Sequence, residues 1–392
     1  MKKRILFVDD ERKVLDGLQR MLRNMRSEWE MEFAGSGREA LEILKGKAFD
    51  AVVTDMLMPR MNGRRLLERV RNMQPRAVRI LVSAHSDKEF ILNSAGLIHQ
   101  FLSKPCEGKA LKTTITRACA MRELLEDESL INVISNIKSL PSPPSLYEEV
   151  VKEVNSSNGS LARIGEIISK DAAMSAKLLQ LVNSSFFGLP AQVSSSMRAV
   201  NLLGMETIKA LILTIKIFSR FHRAGLPCYS ISTLLDHGIS TGLLARSIAT
   251  QEDLGQYKID EAFMAGLLHD IGKLVLLDKM PEKCLEISDV FTSSGCQLRE
   301  AEQKVLGTTH AQLGAYLMGI WGLPESLVEA IAFHHCPSKC PNNTFSTLTA
   351  IHLANALEHG EHRTENTKRL DTGYLEKLGI VDRGLRACPE SI

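Results

Sequence analysis

The sequence predicts a chain in two parts: an α/β domain built on a doubly wound sheet of five parallel strands, then an all-α helical domain. Two observations carry this. Through about residue 110, short runs of Ile, Val, Leu and Phe alternate with polar or amphipathic stretches, the rhythm of a parallel sheet covered by helices on both faces. From about residue 140 to about residue 360 the apolar patterns are helical, and no segment alternates with period two. The 392 residues suffice for two or three domains, and a hydrophobic content of 44% supports sizeable cores.

Five runs supply the strands: "RILFVDD", "MEFAGS", "FDAVVTDMLMP", "VRILVSAH" and "HQFLSKP". They belong to a domain spanning residues 1–120. Residues 111–137 contain no Gly or Pro, and Leu111, Ile115, Ala118, Met121 and Leu125 share one stripe, so a helix is expected to run into a linker over 121–139. An apolar stripe on a linker wants a cover, which makes a homodimer through this helix an expectation. The stretch "LPSPPS", residues 140–145, stops any helix, because three prolines in six residues cannot occupy a helix interior. A helical domain follows over 140–345, with a helical extension and polar tail over 346–392.

The formal net charge is +2, and no basic stripe or separate recognition module is visible, so DNA is not an expected partner. No apolar run approaches the roughly 20 residues needed to span a bilayer. Two acids interrupt the first apolar stretch of "MKKRILFVDDERK", which excludes a secretory signal. A cytoplasmic protein without a membrane partner is expected. Eight scattered Cys read as reduced thiols. Cys336 and Cys340, beside two histidines, read as a loop with two thiols, with half a metal site as the alternative.

Asp9 and Asp10 end the first strand run, Asp55 the third, Ser83 follows "RILV" and Lys104 follows "HQFLS". In a parallel sheet the strand ends on one edge come together, and ligands bind there. Three crowded carboxylates would repel one another unless a cation sat among them. Oxygen-only ligands suit Mg2+, which keeps several waters and accepts a phosphate. Acids at strand ends are common in turns, but five such groups ending four β-runs point to a pocket.

These motifs, "FVDDE", "VVTDMLMPRMNG", "LVSAH" and "FLSKP", resemble the response-regulator receiver family over residues 1–120, in order and with the expected separations. The resemblance implies a flavodoxin-like fold with Asp55 as phosphoacceptor. It implies Mg2+ held by Asp9, Asp10, Asp55 and the backbone carbonyl of Leu57. Ser83 would bond the phosphoryl group, Lys104 would pair with it, and Phe101 would be the switch aromatic. The implied donor is a histidine kinase.

The second half carries "GLLHDIGKL" around His269 and Asp270, and His237, His310, His334 and His335 lie in or beside other apolar helices. A bundle core can gather ligands from facing helices, and six N/O ligands suit one or two ions such as Fe, Mn or Zn. Taken singly, each histidine reads more readily as a cap or a satisfied core residue. "LPSPPSLYEEVVKEV", "ISKDAAMSAKLLQLVNSSFFG", "SMRAVNLLGMETIKAL", "DEAFMAGLLHDIGKLVL" and "HAQLGAYLMGIWGLPESLVEAI" resemble the HDOD family, an HD-related output domain. The family is regarded as regulatory. The six His/Asp positions also resemble the ligand pattern of HD-GYP cyclic-dinucleotide phosphodiesterases, in which Lys273 would contact phosphate. Two departures stand against that activity. The loop after the paired histidines reads "HHCPSKCPNN", and the late ligand aspartate appears as Asn355. Asn183, with Ser184 and Ser185, reads as a helix-end cap, with a ligand contact as the alternative.

The expected function is thus a two-component response regulator whose HDOD output acts on an unknown signalling protein by protein–protein contact. The alternatives are a phosphorylation-gated HD phosphohydrolase and a non-hydrolytic metal-containing sensor.

Overall fold

The computed structural model describes residues 2–83, 97–106, 108–121, 125, 127–137, 140–142, 144–156, 158–183, 192–209, 212, 219–220, 231–340, 344–358 and 370–380. Ala84 and His85 of the fourth run, Ser184 and Ser185, and the end of the tail lie outside the described residues.

Strands β1 (Lys3–Val8), β2 (Trp29–Ala34), β3 (Ala51–Asp55), β4 (Val78–Ser83) and β5 (Gln100–Ser103) form a parallel sheet in the order β2-β1-β3-β4-β5. The expected five strands are all present. Each reads as an apolar run because both sheet faces are covered. Along β1, Leu6 and Val8 face a core shared with α2 (Gly37–Gly46) and α3 (Gly63–Met73), while Ile5 and Phe7 face a core shared with α1 (Arg12–Met21) and α4 (Gly108–Met121). Ser36 and Asn62 cap α2 and α3 by accepting the amides of Glu39 and Arg65. Inside α1, a Cβ on Gly17 would meet nothing within 4 Å. Gly17→Ala is therefore expected to stabilise the protein by roughly 0.5–1 kcal/mol. Thermal unfolding of the variant checks this, and an unchanged or lower midpoint would contradict it.

The stripe expected to run as one helix from residue 111 to 137 is divided. Leu111, Ile115 and Ala118 on α4 pack under the sheet, whereas Leu125 and α5 (Glu128–Ser135) pack into the helical core through Leu130, Ile131 and Ile134. Asp127 starts the new helix, its carboxylate accepting the amides of Ser129 and Leu130. Leu111, Ile115, Ala118 and Leu125 are covered within the chain, while the Met121 side chain lies outside the described residues, so these members of the stripe give no reason to expect a dimer.

The helical domain continues with α6 (Pro144–Asn155), α7 (Leu161–Ile168), α8 (Ala172–Val182), α9 (Ser196–Lys209), α10 (Ile231–Gln251), α11 (Gln256–Leu268) and α12 (Ile271–Lys279). Then come α13 (Pro281–Ser294), α14 (Leu298–Leu306), α15 (His310–Ile320), α16 (Glu325–Phe333), α17 (Thr347–Glu358) and α18 (Thr372–Lys377). One core joins them. It departs from the all-α expectation at β6 (Pro141–Ser142), which pairs with β7 (Ser219–Arg220). The prolines that stop the helix also favour extended backbone there. Asn183 ends α8 and bridges to Val193, accepting its amide at 2.6 Å and donating to its carbonyl at 2.7 Å, as a structural cap should.

The two domains meet along β4 and β5. Arg79, 1% exposed, donates to the carbonyls of Leu97 at 2.7 Å and Ser135 at 2.6 Å. His99 Nε2 lies 2.8 Å from the same Ser135 carbonyl, and Ser135 Oγ lies 3.0 Å from the Tyr316 hydroxyl on α15. A buried guanidinium satisfied by carbonyls from both domains makes a joint that would be costly to open.

Candidate phosphorylation and metal sites

The C-terminal ends of β1, β3, β4 and β5 bring the predicted acidic pocket together. The Lys104 ammonium lies 2.5 Å from Asp55 Oδ1 and 2.9 Å from Asp9 Oδ2. The Leu57 amide donates to Asp55 Oδ2 at 3.0 Å, and the Glu11 amide to Asp9 Oδ1 at 2.9 Å. Asp9, Asp55 and Ser83 are buried, whereas Asp10 and Leu57 are exposed at the lip. Burial pushes the Asp55 carboxyl above its ordinary range, against the pull of Lys104. Three carboxylates against one ammonium leave two unbalanced negative charges, those a divalent cation neutralises, and the all-oxygen donors suit Mg2+. Phe101 is buried in the core beneath α2 and α3.

In the helical domain all six predicted ligands converge, and they do so as two groups. In each of the sets His237–His269–Asp270 and His310–His334–His335, one potential donor atom per residue lies within 4.8 Å of the others. Glycines make this convergence sterically feasible. A Cβ on Gly266 of α11 would sit 2.5 Å from Gly242 Cα of α10, so these helices cross backbone to backbone and bring His237 Nε2 to 3.1 Å from His269 Nε2. A Cβ on Gly272 of α12 would sit 1.9 Å from the His310 carbonyl, so α12 abuts the start of α15 and sets Asp270 Oδ1 3.1 Å from His310 Nε2.

The outer nitrogens fix the tautomers. His269 Nδ1 donates to the Gly266 carbonyl at 2.6 Å and His334 Nδ1 to the Ile331 carbonyl at 2.8 Å. A carbonyl only accepts, so each Nδ1 carries the hydrogen and each Nε2 offers a lone pair. His310 Nδ1 is held by both oxygens of the buried Glu302, and His237 Nδ1 by Glu358. Such outer carboxylate and carbonyl partners orient imidazoles for a metal. Among the inner atoms, His237 Nε2 pairs with His269 Nε2 and His335 Nε2 with His310 Nε2, each at 3.1 Å, whereas His334 Nε2 and Asp270 Oδ1 are buried without a hydrogen bond, the latter despite its closeness to His310. Burial pulls His269 down to about 4 and holds His334 and His335 well below the ordinary histidine value, so all three are neutral near pH 7. Burial opposes ionisation of Asp270, but His269, Lys273 and His310 hold its carboxyl well below the usual range. An ionised carboxylate beside these three neutral imidazoles is a donor set that fits a borderline divalent ion. His310 differs, since burial lowers it but Glu302 and Asp270 outweigh that and raise it, so a metal there would displace its proton.

Other predicted residues behave differently. Lys273 is buried, with Nζ 2.6 Å from Asp270 Oδ2 one turn earlier on the helix. Asn355 on α17 is buried, its Oδ1 without a hydrogen bond. Cys340 donates to Glu329, and among the described residues no metal-capable group includes Cys336 or Cys340. Glu302 and Glu358 escaped sequence reasoning because no motif spacing marks them. His352 Nδ1 donates to the His334 carbonyl at 2.8 Å, bracing a ligand rather than joining the set.

Fold and pocket define a class of architecture, a receiver-type α/β domain joined to a helical domain. The response regulator receiver domain family matches residues 5–116, and the HDOD domain family matches residues 140–337. The chain belongs to the HDOD domain family. An uncharacterized protein of Treponema pallidum is 25% identical over 228 residues, 57% of this chain and 43% of that protein. The hydrogenase transcriptional regulatory protein HoxA of Bradyrhizobium diazoefficiens is 33% identical over 132 residues, 33% of this chain and 26% of that protein. The chain thus spans less than half the length of these two curated relatives. Among solved structures, the MmoQ response regulator of Methylococcus capsulatus is 21% identical with a TM-score of 0.48, covering 64% of this chain and 98% of that one. The receiver domain of an HD domain-containing protein from Pseudomonas fluorescens Pf-5 is 28% identical with a TM-score of 0.29, covering 31% and 95%. Receiver domains use Mg2+ in phosphorylation. Among the described residues no helix is long and apolar enough to cross a membrane.

Proposed function

We propose that Asp55 accepts a phosphoryl group from a histidine kinase and that the HDOD domain passes the signal on by protein–protein contact, around a metal-bearing rather than hydrolytic core. The observation that supports the first step is the Lys104 ammonium seated between Asp55 and Asp9. Mg2+ would be held by Asp9, Asp10, Asp55 and the Leu57 carbonyl, where it would neutralise charge on the transferring group. An Asp55 oxygen attacks phosphorus, the P–N bond of the donor phosphohistidine breaks, and the imidazole leaves. Lys104 and the Ser83 hydroxyl hold the phosphoryl oxygens, and Phe101 changes burial as the receiver shifts between two states.

Burial supports the non-hydrolytic reading of the second site. His269 is 0% exposed, His310 and His334 are each 1% exposed, and Lys273 is paired with Asp270. A phosphoester would have to displace that ion pair and open the core to reach a metal. Fe, Mn or Zn suits the donors. Metal analysis of protein purified without a histidine tag tests the site. About one or two equivalents per chain are expected, lost in His269→Ala/Asp270→Ala. No metal in either protein after reconstitution would remove the metal site. Turnover of a cyclic dinucleotide by the metal-loaded wild type would replace contact signalling with the phosphodiesterase reading.

A further inference from the structure

The helices that carry one metal group are the helices the receiver grips. Helices α15 and α16 form a hairpin. Its open end carries His310, at the first position of α15, and His334–His335, just past the end of α16. Its tip, Trp321–Pro324, faces the receiver. There Gln100, the first residue of β5, donates from Nε2 to the Ile320 carbonyl at 2.8 Å. This carbonyl ends α15 and has no partner within its helix, so the receiver side chain satisfies it. Gly322 turns the tip with φ +78°, and a Cβ there would lie 2.5 Å from Gln100 Nε2, so the side chain is seated in the bend. Arg117 of α4 reaches Glu325 in the first turn of α16 at 2.9 Å. Midway along α15, Tyr316 closes the joint with Ser135, Arg79 and His99.

At its other end β5 runs directly into the phosphorylation pocket, since Lys104, which touches Asp55, follows Ser103. Between β5 and the hairpin lies a cavity of about 690 Å3 lined by Phe101, Leu102, Ala110, Leu323, Val328 and Ala332. The strand that carries the switch aromatic thus borders this cavity, which α4 also lines and whose far wall is the hairpin.

We propose that the receiver controls metal affinity at the His310–His334–His335 group, with β5 and the α15–α16 hairpin as the connecting element; this rests on the metal-bearing reading above. Phosphorylation then selects between two hairpin positions that hold the three nitrogens at different separations. Linkage makes the effect reciprocal: metal at this group must change the receiver's affinity for a phosphoryl mimic by the same factor. The other group, on α10 and the α11–α12 junction, has no comparable tie to the receiver among the described residues.

The test uses the full chain in excess Mg2+, with and without beryllofluoride, and measures the Zn2+ dissociation constant against a chromophoric chelator. A His335→Ala variant gives the background from the other group. A shift of about fivefold or more is expected, within the usual range of allosteric coupling. Beryllofluoride affinity should shift by the same factor between metal-free and Zn2+-loaded protein. Gln100→Ala/Arg117→Ala should keep both ligands and lose the shift. Equal Zn2+ affinity with beryllofluoride demonstrably bound by 19F NMR would overturn the coupling while leaving the metal site standing. Full coupling in the double variant would overturn the hairpin route. Absence of Zn2+ binding in either state would remove the metal reading itself.

Discussion

Asp55→Asn is expected to abolish phosphorylation. Incubated with acetyl phosphate and Mg2+, the wild-type chain should gain one phosphoryl group, read by intact mass or by retardation on a phosphate-affinity gel, and the variant none. The amide that replaces the carboxylate is no nucleophile toward phosphorus, and it removes one of the charges that make the pocket fit a divalent ion. Lys104→Ala keeps the nucleophile but deletes the ammonium 2.5 Å from it. Loss of one preorganised charge-stabilising donor costs roughly 10²–10³ in rate. The pH profile gives a second readout. Burial already raises the Asp55 carboxyl, and Lys104 holds it down. Without Lys104 it rises further. The attacking form is the carboxylate, so phosphorylation of Lys104→Ala should need higher pH than the wild type. A phosphoryl group still incorporated by Asp55→Asn would place the acceptor elsewhere and sink the assignment.

The receiver pocket was legible in the sequence because a parallel sheet converts chain order into proximity. Residues that end successive apolar runs share an edge whatever the helices between them do. The His/Asp set was legible for another reason: its members lie on or beside apolar helices that must pack together. Its division into two groups follows chain order, His237 to Asp270 and His310 to His335, yet no spacing rule in the sequence announces it. What remained hidden depends on tertiary contact alone. Glu302 and Glu358 orient histidines from neighbouring helices and carry no signature. The Arg79–His99–Ser135–Tyr316 joint links residues scattered through both domains. The break between α4 and α5 is a different kind of miss. The stripe from Leu111 to Leu125 is periodic without being continuous, since its two ends serve two cores. Asp127, a good N-cap residue before an apolar stretch, was the available sign of a new helix.

Gly272→Ala should do more damage than the same change at any other described glycine of the helical domain. The new Cβ would sit 1.9 Å from the His310 carbonyl oxygen and 3.0 Å from the Gly314 amide nitrogen, both backbone atoms that no rotamer change can move aside. Helices α12 and α15 must separate, and their separation costs packing along two largely buried elements. Overpacking of this kind costs roughly 3 kcal/mol. In a helical domain of this size that corresponds to roughly 6–12 °C in melting temperature. The functional consequence is specific, because α12 follows Asp270 and α15 opens with His310, whose facing atoms lie only 3.1 Å apart. Widening the crossing pulls the two ligand groups apart, so metal content should fall along with the melting temperature. Gly314→Ala, on the opposite side of the same crossing, provides the comparison. Its Cβ would meet the Ile271 side chain at 2.9 Å and the Gly272 amide at 3.1 Å, contacts that a side-chain shift partly relieves. Its losses should be smaller in both measurements. A Gly272→Ala protein that melts within about 1 °C of the wild type and keeps its metal would mean that the close helix crossing does not set the geometry of the site.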